Sequence, residues 1–435
     1  MLFSKIPHRV TFFAFFVTHR GIKFPKKVTH RGIFCIFAHQ TDNYMIDVIL
    51  YEYMHEMLRQ TNHKHLRYLY GQIEWNARLI GIVGPRGVGK STMILQHIKQ
   101  LGTPSDVLYV SADNIYFNSH TLVSLADDFV KEGGKMMLID EIHKYSGWSR
   151  ELKQIYDVHP ALRIVFTGSS ILDISKGQAD LSRRALMYEM QGLSFREYLL
   201  LRYDIEASVF SLDDILSHRV ELPELEHPLP YFREYLSRGY YPFYSEPGFT
   251  QRINQVVQQT IDTDISQYAD IKPATARRLK QMLAIISRLA PYKPSYENLA
   301  QEVGVSKNNV PDYLLYLERA GMLGLLLDDT AGMRALGKIE KVYIDNPSLM
   351  TVLASGNPDL GNLRETFFFN QMRVRNDVKA SRESDFYIAP YTFEVGGKRK
   401  GKKQVECVKN GIVVRDDIEY GAGTIVPLWH FGMNY

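Results

Sequence analysis

Cysteine is almost missing from this chain, with only Cys35 and Cys407 among 435 residues. That excludes a disulfide framework and a cysteine-built metal cluster, and it points to a reducing, cytoplasmic setting. Long apolar runs are missing too, since none reaches the roughly 18–20 residues needed to span a bilayer, so no membrane partner is expected. Excess charge of one sign is equally scarce. The formal balance is +4, yet residues 1–44 hold seven Lys/Arg against one Asp, leaving 45 basic against 47 acidic residues in the remainder. The mildly basic total is therefore no argument for nucleic-acid binding. With 45% hydrophobic and 23% charged residues, the composition is that of an ordinary globular protein, and the length suggests two to four domains.

Residues 1–44 differ from the rest of the chain. Val-Thr-His-Arg-Gly-Ile occurs at 17–22 and again at 28–33, inside a stretch rich in Phe, His and Lys. The apolar run Val10–Val17 leads into His19 and Arg20 with no small-residue cleavage site, which argues against a signal peptide. This segment reads as an atypical leader outside the fold, with a targeting segment as the alternative. The amphipathic stretch Ile46–Leu58 opens the folded chain, with Met45 as its start.

What is there begins with Gly84, Pro85, Arg86, Gly87, Val88, Gly89, Lys90 and Ser91. The spacing lets the backbone curl so that successive N–H groups face a phosphate chain beside a helix N-terminus. Lys90 would reach the β- and γ-phosphates, Ser91 would help hold Mg²⁺, and Thr92 would begin the helix. Leu79–Val83 reads as the buried strand before the loop and Thr92–Leu101 as the helix after it. Three more apolar runs, Val107–Ser111, Lys135–Asp140 and Arg163–Ser169, imply a parallel sheet with helices on both faces and ligands at the carboxyl ends of its strands.

Asp140 and Glu141 end one of those runs. The first suits Mg²⁺ held through water, and the second suits orienting and deprotonating a water molecule. Ser169, in Thr167-Gly-Ser-Ser, sits where a hydroxyl can sense the γ-phosphate. Arg184, after Arg183, offers a guanidinium for transition-state charge, usually across a subunit or domain boundary, although the pair reads equally well as a solvated surface feature.

Gly84–Ser91, Leu138–Ile142, Phe166–Ser170, Arg184-Ala185, Leu193–Tyr198, Gly239–Pro242 and Thr263–Ile265 together carry a resemblance. The chain is similar to the AAA-type ATPases of bacteria and archaea that have a C-terminal domain of unknown function. The resemblance implies ATP and Mg²⁺ as cofactors, and rings or transient multimers as assemblies. It also implies a C-terminal domain like the restriction-endonuclease fold, with Glu365, Asp385, Glu394 and Lys398 as the positions to test. There Glu394-Val-Gly-Gly-Lys398 spaces acid and lysine too widely to share a strand face, which disfavours a working nuclease.

Between these parts, Leu299, Ala300 and Val303, then Gly304 and Ser306, then Val310, Tyr313, Leu314 and Leu317 spell helix, turn, helix. Gly321–Leu327 reads as a strand after them. Lys307, Asn308 and Asn309 would meet base edges if the segment bound DNA. Asp312 and Glu318 on the same helix weigh against that, and Pro311 reads as an irregularity. The expected architecture is an α/β P-loop NTPase sheet with helices on both faces, then a winged-helix-like module, then a small α/β nuclease-like domain. Its boundaries fall at 1–44 (leader), 45–200 (ATPase), 201–274 (helical lid or linker), 275–330 (winged-helix-like) and 331–435 (nuclease-like). The expected activity is ATP binding and hydrolysis by a switch or motor with an unnamed protein client. The alternative is a DNA-associated protein whose winged helix and nuclease-like domain act under nucleotide control.

Overall fold

Four apolar runs become neighbouring strands because each is short, apolar and buried on both faces, and a fifth, partly exposed segment, Leu186–Glu189, pairs at their edge. β1 (Leu79–Val83), β2 (Val107–Ser111), β3 (Met136–Asp140), β4 (Arg163–Gly168) and β5 (Leu186–Glu189) form one sheet in the order β2-β3-β4-β1-β5. Every neighbouring pair in it is parallel. This computed structural model describes residues 48–435 apart from 63, 104, 169–180, 182, 270, 329–337 and 402–403. The chain divides into residues 1–49, described only at 48 and 49, and residues 50–435, which hold all of the sheets and the helices that pack on them.

Side chains alternate between two core layers along these strands, as the period of two requires. Leu108, Val110, Met137 and Ile139 pack with the helices Leu122–Lys131 and Trp148–Val158. Ile80, Ile82, Tyr109 and Leu138 pack with the helix Lys90–Gln100. That helix begins at Lys90, two residues before the expected Thr92, because Gly89 in the left-handed region already supplies its N-cap. Parallel pairing brings Val83, Ser111, Asp140 and Gly168 to one edge of the sheet. With β4 between β1 and β3, Thr167 falls between the glycine-rich loop and Asp140.

Beyond Leu193 a single cluster of buried apolar side chains runs on to Met433. Its first part is helical. Ser194 and Glu197 form a capping box on the helix Phe195–Tyr203. The helix Pro228–Glu234 runs into a π-helical turn at Tyr235–Gly239, and Phe249–Gln259 into another at Thr260–Ile265. The helices Pro273–Leu289, Tyr296–Val303 and Val310–Arg319 come next, then the antiparallel pair β6 (Leu323–Leu327) and β7 (Ile339–Ile344). Pro311 is no irregularity. It stands in the first turn, where the N–H it lacks has no intrahelical partner anyway. The expected base-reading residues occupy a separate 3₁₀ turn, Lys307–Asn309, capped by Ser306.

The last part is a mixed sheet. β8 (Lys379–Ala380), β9 (Phe386–Ile388), β10 (Tyr391–Gly396), β11 (Gly411–Arg415) and β12 (Ile425–Pro427) lie in the order β12-β11-β10-β9-β8. The β10-β11-β12 pairings are parallel, and β8-β9-β10 are antiparallel. The helix Leu360–Met372 packs on this sheet through Phe368, against Phe386 and Phe393, while its Phe367 packs against Phe232 and Tyr235. Among the described residues no helix is long and apolar enough to cross a membrane.

Candidate active site

The loop leaves β1 at Val83 and runs into the helix at Lys90. Gly84, Gly87 and Gly89 take φ of +152°, +79° and +98°. A Cβ at Gly84 would lie 2.2 Å from the Met190 carbonyl oxygen, and one at Gly87 would lie 2.7 Å from the Phe243 ring. Both positions therefore need glycine on conformation and on space. Lys90 is buried and donates to the carbonyl oxygens of Gly84 (2.9 Å) and Pro85 (2.8 Å). Burial lowers its pKa to about 8, against the opposing pull of Glu141 and Asp140.

Asp140 closes β3 almost fully buried. Its carboxylate accepts hydrogen bonds from Ser91, from Thr167 and from Tyr109 Oη (2.9 Å). Burial raises its pKa while those three hydroxyls oppose the shift. The neighbouring Glu141 has φ +52° and ψ +40°, a left-handed conformation that costs a non-glycine residue roughly 1 kcal/mol. Its N–H donates to Thr167 Oγ1 at 3.1 Å. One threonine hydroxyl thus ties the strand-end acid to the strained glutamate beside it.

A glycine cradle, a buried ammonium and a carboxylate ringed by hydroxyls suit a nucleotide triphosphate and a hard divalent cation. Lys90 and the loop N–H groups from Arg86 to Ser91 would hold the phosphates, and Ser91 with Asp140 would hold Mg²⁺. Val88 is buried, and its carbonyl accepts from Arg67, while Thr92 is exposed on the first turn of the helix. Ser169 lies outside the described residues, and Thr167 holds the polar strand end within them.

Three contacts reach the loop from elsewhere. Arg86 makes a two-bond fork to Asp264, Nε to Oδ2 at 2.6 Å and Nη2 to Oδ1 at 2.7 Å. Its Nη1 lies 4.0 Å from Glu141 Oε2. Pro85 packs under Gly321, where an added Cβ would lie 2.5 Å from Pro85 Cγ. Arg67, fully enclosed, donates to Val88 O (2.6 Å), Gln191 O (2.8 Å) and Gly192 O (2.9 Å), and forks onto Glu197 at 2.9 and 3.1 Å. Phe243, Asp264 and Arg67 come from segments without local phosphate-site spacing. Only the short acidic motif at 263–265 signals any of them in the sequence.

Arg184 sits at the other edge of the sheet. It precedes β5, whose Leu186 pairs with Ile80 at the amino end of β1, and its guanidinium pairs with Asp157 at 3.1 and 3.2 Å. This places the guanidinium away from the chain's own glycine loop. Arg183 stands beside it.

The C-terminal acids are divided between two partners. Lys341 Nζ lies 3.2 Å from both Glu365 and Asp385, on the wall of a cavity of about 950 Å³. Burial, then the charge of Asp385, raises the Glu365 pKa. Glu394 is buried and bonds instead to Ser384 and to Lys400, whereas Lys398 is exposed. The lysine brought to Glu394 is thus Lys400, and Lys398, spaced too widely to share its strand face, stays apart from it. Among the described residues no group of three or more His, Cys, Asp or Glu is placed to hold a metal ion. In the helical segment Lys307 is paired with Glu297 on the surface.

Residues 76–199 match the AAA domain family, and residues 229–360 match a domain family of unknown function. An uncharacterized protein of Methanocaldococcus jannaschii is 25% identical over 396 residues, covering 81% of this chain and 83% of its own. Among solved structures, a Walker-type ATPase of Pyrococcus abyssi superposes with a TM-score of 0.36 at 12% identity, covering 64% of this chain and 91% of its own. DnaA of Aquifex aeolicus bound to AMPPCP reaches 0.24 at 14% identity, covering 57% and 84%. The parallel sheet, the glycine loop and the hydroxyl-ringed Asp140 all lie inside residues 76–199, the span that is similar to the AAA domain family.

Proposed function

We propose that this protein hydrolyses ATP with Mg²⁺ and uses the cycle as a switch or motor on a protein client. The observation that carries this reading is the convergence of Ser91 and Thr167 on the Asp140 carboxylate, with Glu141 held beside it by the same threonine. A binding loop alone requires no such group. Bound ATP·Mg²⁺ would supply the γ-phosphoryl group and the cation's charge. Lys90 and the loop N–H groups would position and neutralise the phosphates, Ser91 and Asp140 would hold the cation, and Glu141 would take the proton from the water that attacks the γ-phosphorus as ADP leaves.

The DNA-associated alternative has less support. Lys307 is engaged by Glu297, and Lys341 lies between the two carboxylates that a nuclease reading would give to a cation. Residues 275–330 as a winged-helix-like module and 331–435 as an inactive nuclease-like domain fit a role in recognition. Arg184, if it serves as a finger, implies a homo-oligomer.

ATP turnover by purified protein, abolished in Glu141→Gln with nucleotide still bound, is the expected result. Binding without turnover in the unaltered protein overturns the hydrolytic reading in favour of a nucleotide-binding scaffold.

A further inference from the structure

Arg86 is the only loop side chain besides Lys90 that carries a full positive charge. Its strongest hydrogen-bonding face, Nε with Nη2, is committed to Asp264 at 2.6 and 2.7 Å. Asp264 lies outside the AAA span and inside 229–360, on the π-helical turn Thr260–Ile265, and only 1% of its side chain is exposed. π turns are rare and cluster at functional sites. This one alternates Asp262, exposed and paired with Lys280, with Asp264, buried and aimed at the loop. The same guanidinium stands 4.0 Å from Glu141 Oε2. His143 Nε2 lies 3.5 Å from that oxygen and 3.9 Å from Asp264 Oδ1, and Lys144 Nζ lies 3.8 Å from Asp264. One arginine therefore stands between the glutamate next to the cation site and a buried acid on another part of the chain.

We propose that Asp264 is a positioning residue for the hydrolytic site, acting through Arg86 on Glu141. By this bridge residues 229–360 register whether the loop is occupied. Two carboxylates compete for one guanidinium. While Asp264 holds the bidentate face, Arg86 offers Glu141 only the more distant Nη1, and Glu141 is left available as a base. Without the Asp264 charge, Arg86 closes on Glu141 and neutralises it. A phosphate chain against the loop would draw on the same guanidinium, so Asp264 would have to share it or turn to Lys144. The π turn and its flanking helices would then loosen or tighten with nucleotide.

This inference rests on Glu141 as the base, but its test has a separate readout. Asp264→Asn keeps the shape and removes the charge. The expected result is a fall in kcat of about tenfold or more, with the nucleotide dissociation constant changed by less than about threefold, the pattern of a lost general base. Arg86→Ala restores much of that loss when combined with Asp264→Asn, because the residue that blocks Glu141 is gone. A double variant as slow as the product of both single effects overturns the proposal. Independently of turnover, hydrogen exchange of the peptide over Thr260–Ser266 is compared with and without ADP·Mg²⁺. The exchange changes in the unaltered protein and ceases to change in Arg86→Ala that still binds nucleotide. An exchange rate indifferent to nucleotide in the unaltered protein overturns the bridge even if ATP is hydrolysed. Absence of turnover with the exchange effect intact overturns only the hydrolytic reading.

Discussion

The side chain of Lys400 occupies the space in which a side chain at Gly396 would stand. A Cβ built on Gly396 would lie 2.6 to 2.8 Å from three carbons of Lys400, and the Lys400 ammonium pairs with Glu394 on the same strand as that glycine. A lysine four positions along the loop thus folds back over a glycine to reach the buried acid. Lys400→Ala is expected to lower the unfolding free energy by about 2 kcal/mol, below the figure for a fully buried pair because the lysine is 32% exposed. Lys398→Ala should stay within about 0.5 kcal/mol, as an exposed residue should. Urea midpoints for the two variants check this, and equal effects would count against the assignment.

Arg67 braces the loop from behind by joining the Val88 carbonyl to Glu197. Removing it strands a carboxylate that is 1% exposed, so Arg67→Ala should cost about 3–5 kcal/mol. Arg67→Lys should recover less than half, because an ammonium cannot span a fork and three carbonyls at once. Chemical denaturation of the two variants decides it, and full rescue by lysine would show that charge alone matters.

Thr167 serves both Asp140 and the Glu141 backbone. Thr167→Val keeps the shape and removes the hydroxyl, and should weaken Mg²⁺-dependent nucleotide binding about tenfold, the worth of one hydrogen bond to a charged group. Binding measured in excess chelator should hardly move. Tyr109→Phe, which removes one bond to Asp140 but leaves Thr167 holding both Asp140 and the Glu141 backbone, should do less. Titration calorimetry with and without Mg²⁺ separates these outcomes.

His97 and His430 are both buried, and burial lowers their pKa values to about 4 and about 3. The remaining causes are Arg163 for His97 and His218 for His430. His97 is stacked on Trp75 at 3.8 Å and bonds Tyr70, while His430 stands edge-on to Trp429. An unfolded histidine takes its proton near pH 6.5, so between that value and about 4 the unfolded chain binds more protons than the folded one. Stability is therefore expected to fall as the pH drops through this window. Urea midpoints at pH 7 and pH 5 test it, and His97→Gln with His430→Phe should flatten the dependence. A midpoint indifferent to pH in this range would contradict the burial argument.

Much of the parallel-sheet part is legible in the chain. Leu79–Val83 and Val107–Ser111 are strands at the expected residues, because a short run of branched apolar residues between polar turns has few other ways to be buried. The helix starts at Lys90, two residues before the pattern alone places it, since the left-handed Gly89 that caps it is a matter of backbone conformation and not of composition. Pro311 differs from expectation for a similar reason: whether a proline breaks a helix depends on which turn it occupies.

The residues placed around the loop cannot be read this way. Spacing in sequence reports neighbours along one strand or helix, whereas Arg86 and Asp264 are 178 positions apart and Arg67 and Glu197 are 130 apart. The geometry of the loop, with glycines for close approach, Lys90 turned back on the loop carbonyls and Asp140-Glu141 at a strand end, was determined by the sequence itself, because each requirement is met within a few residues. Which side chains brace that loop, that Arg184 is turned away from it, and that Lys400 serves Glu394 were decided by the tertiary structure. A buried charge takes whatever counter-charge the packed chain brings within reach, and local sequence does not specify that partner.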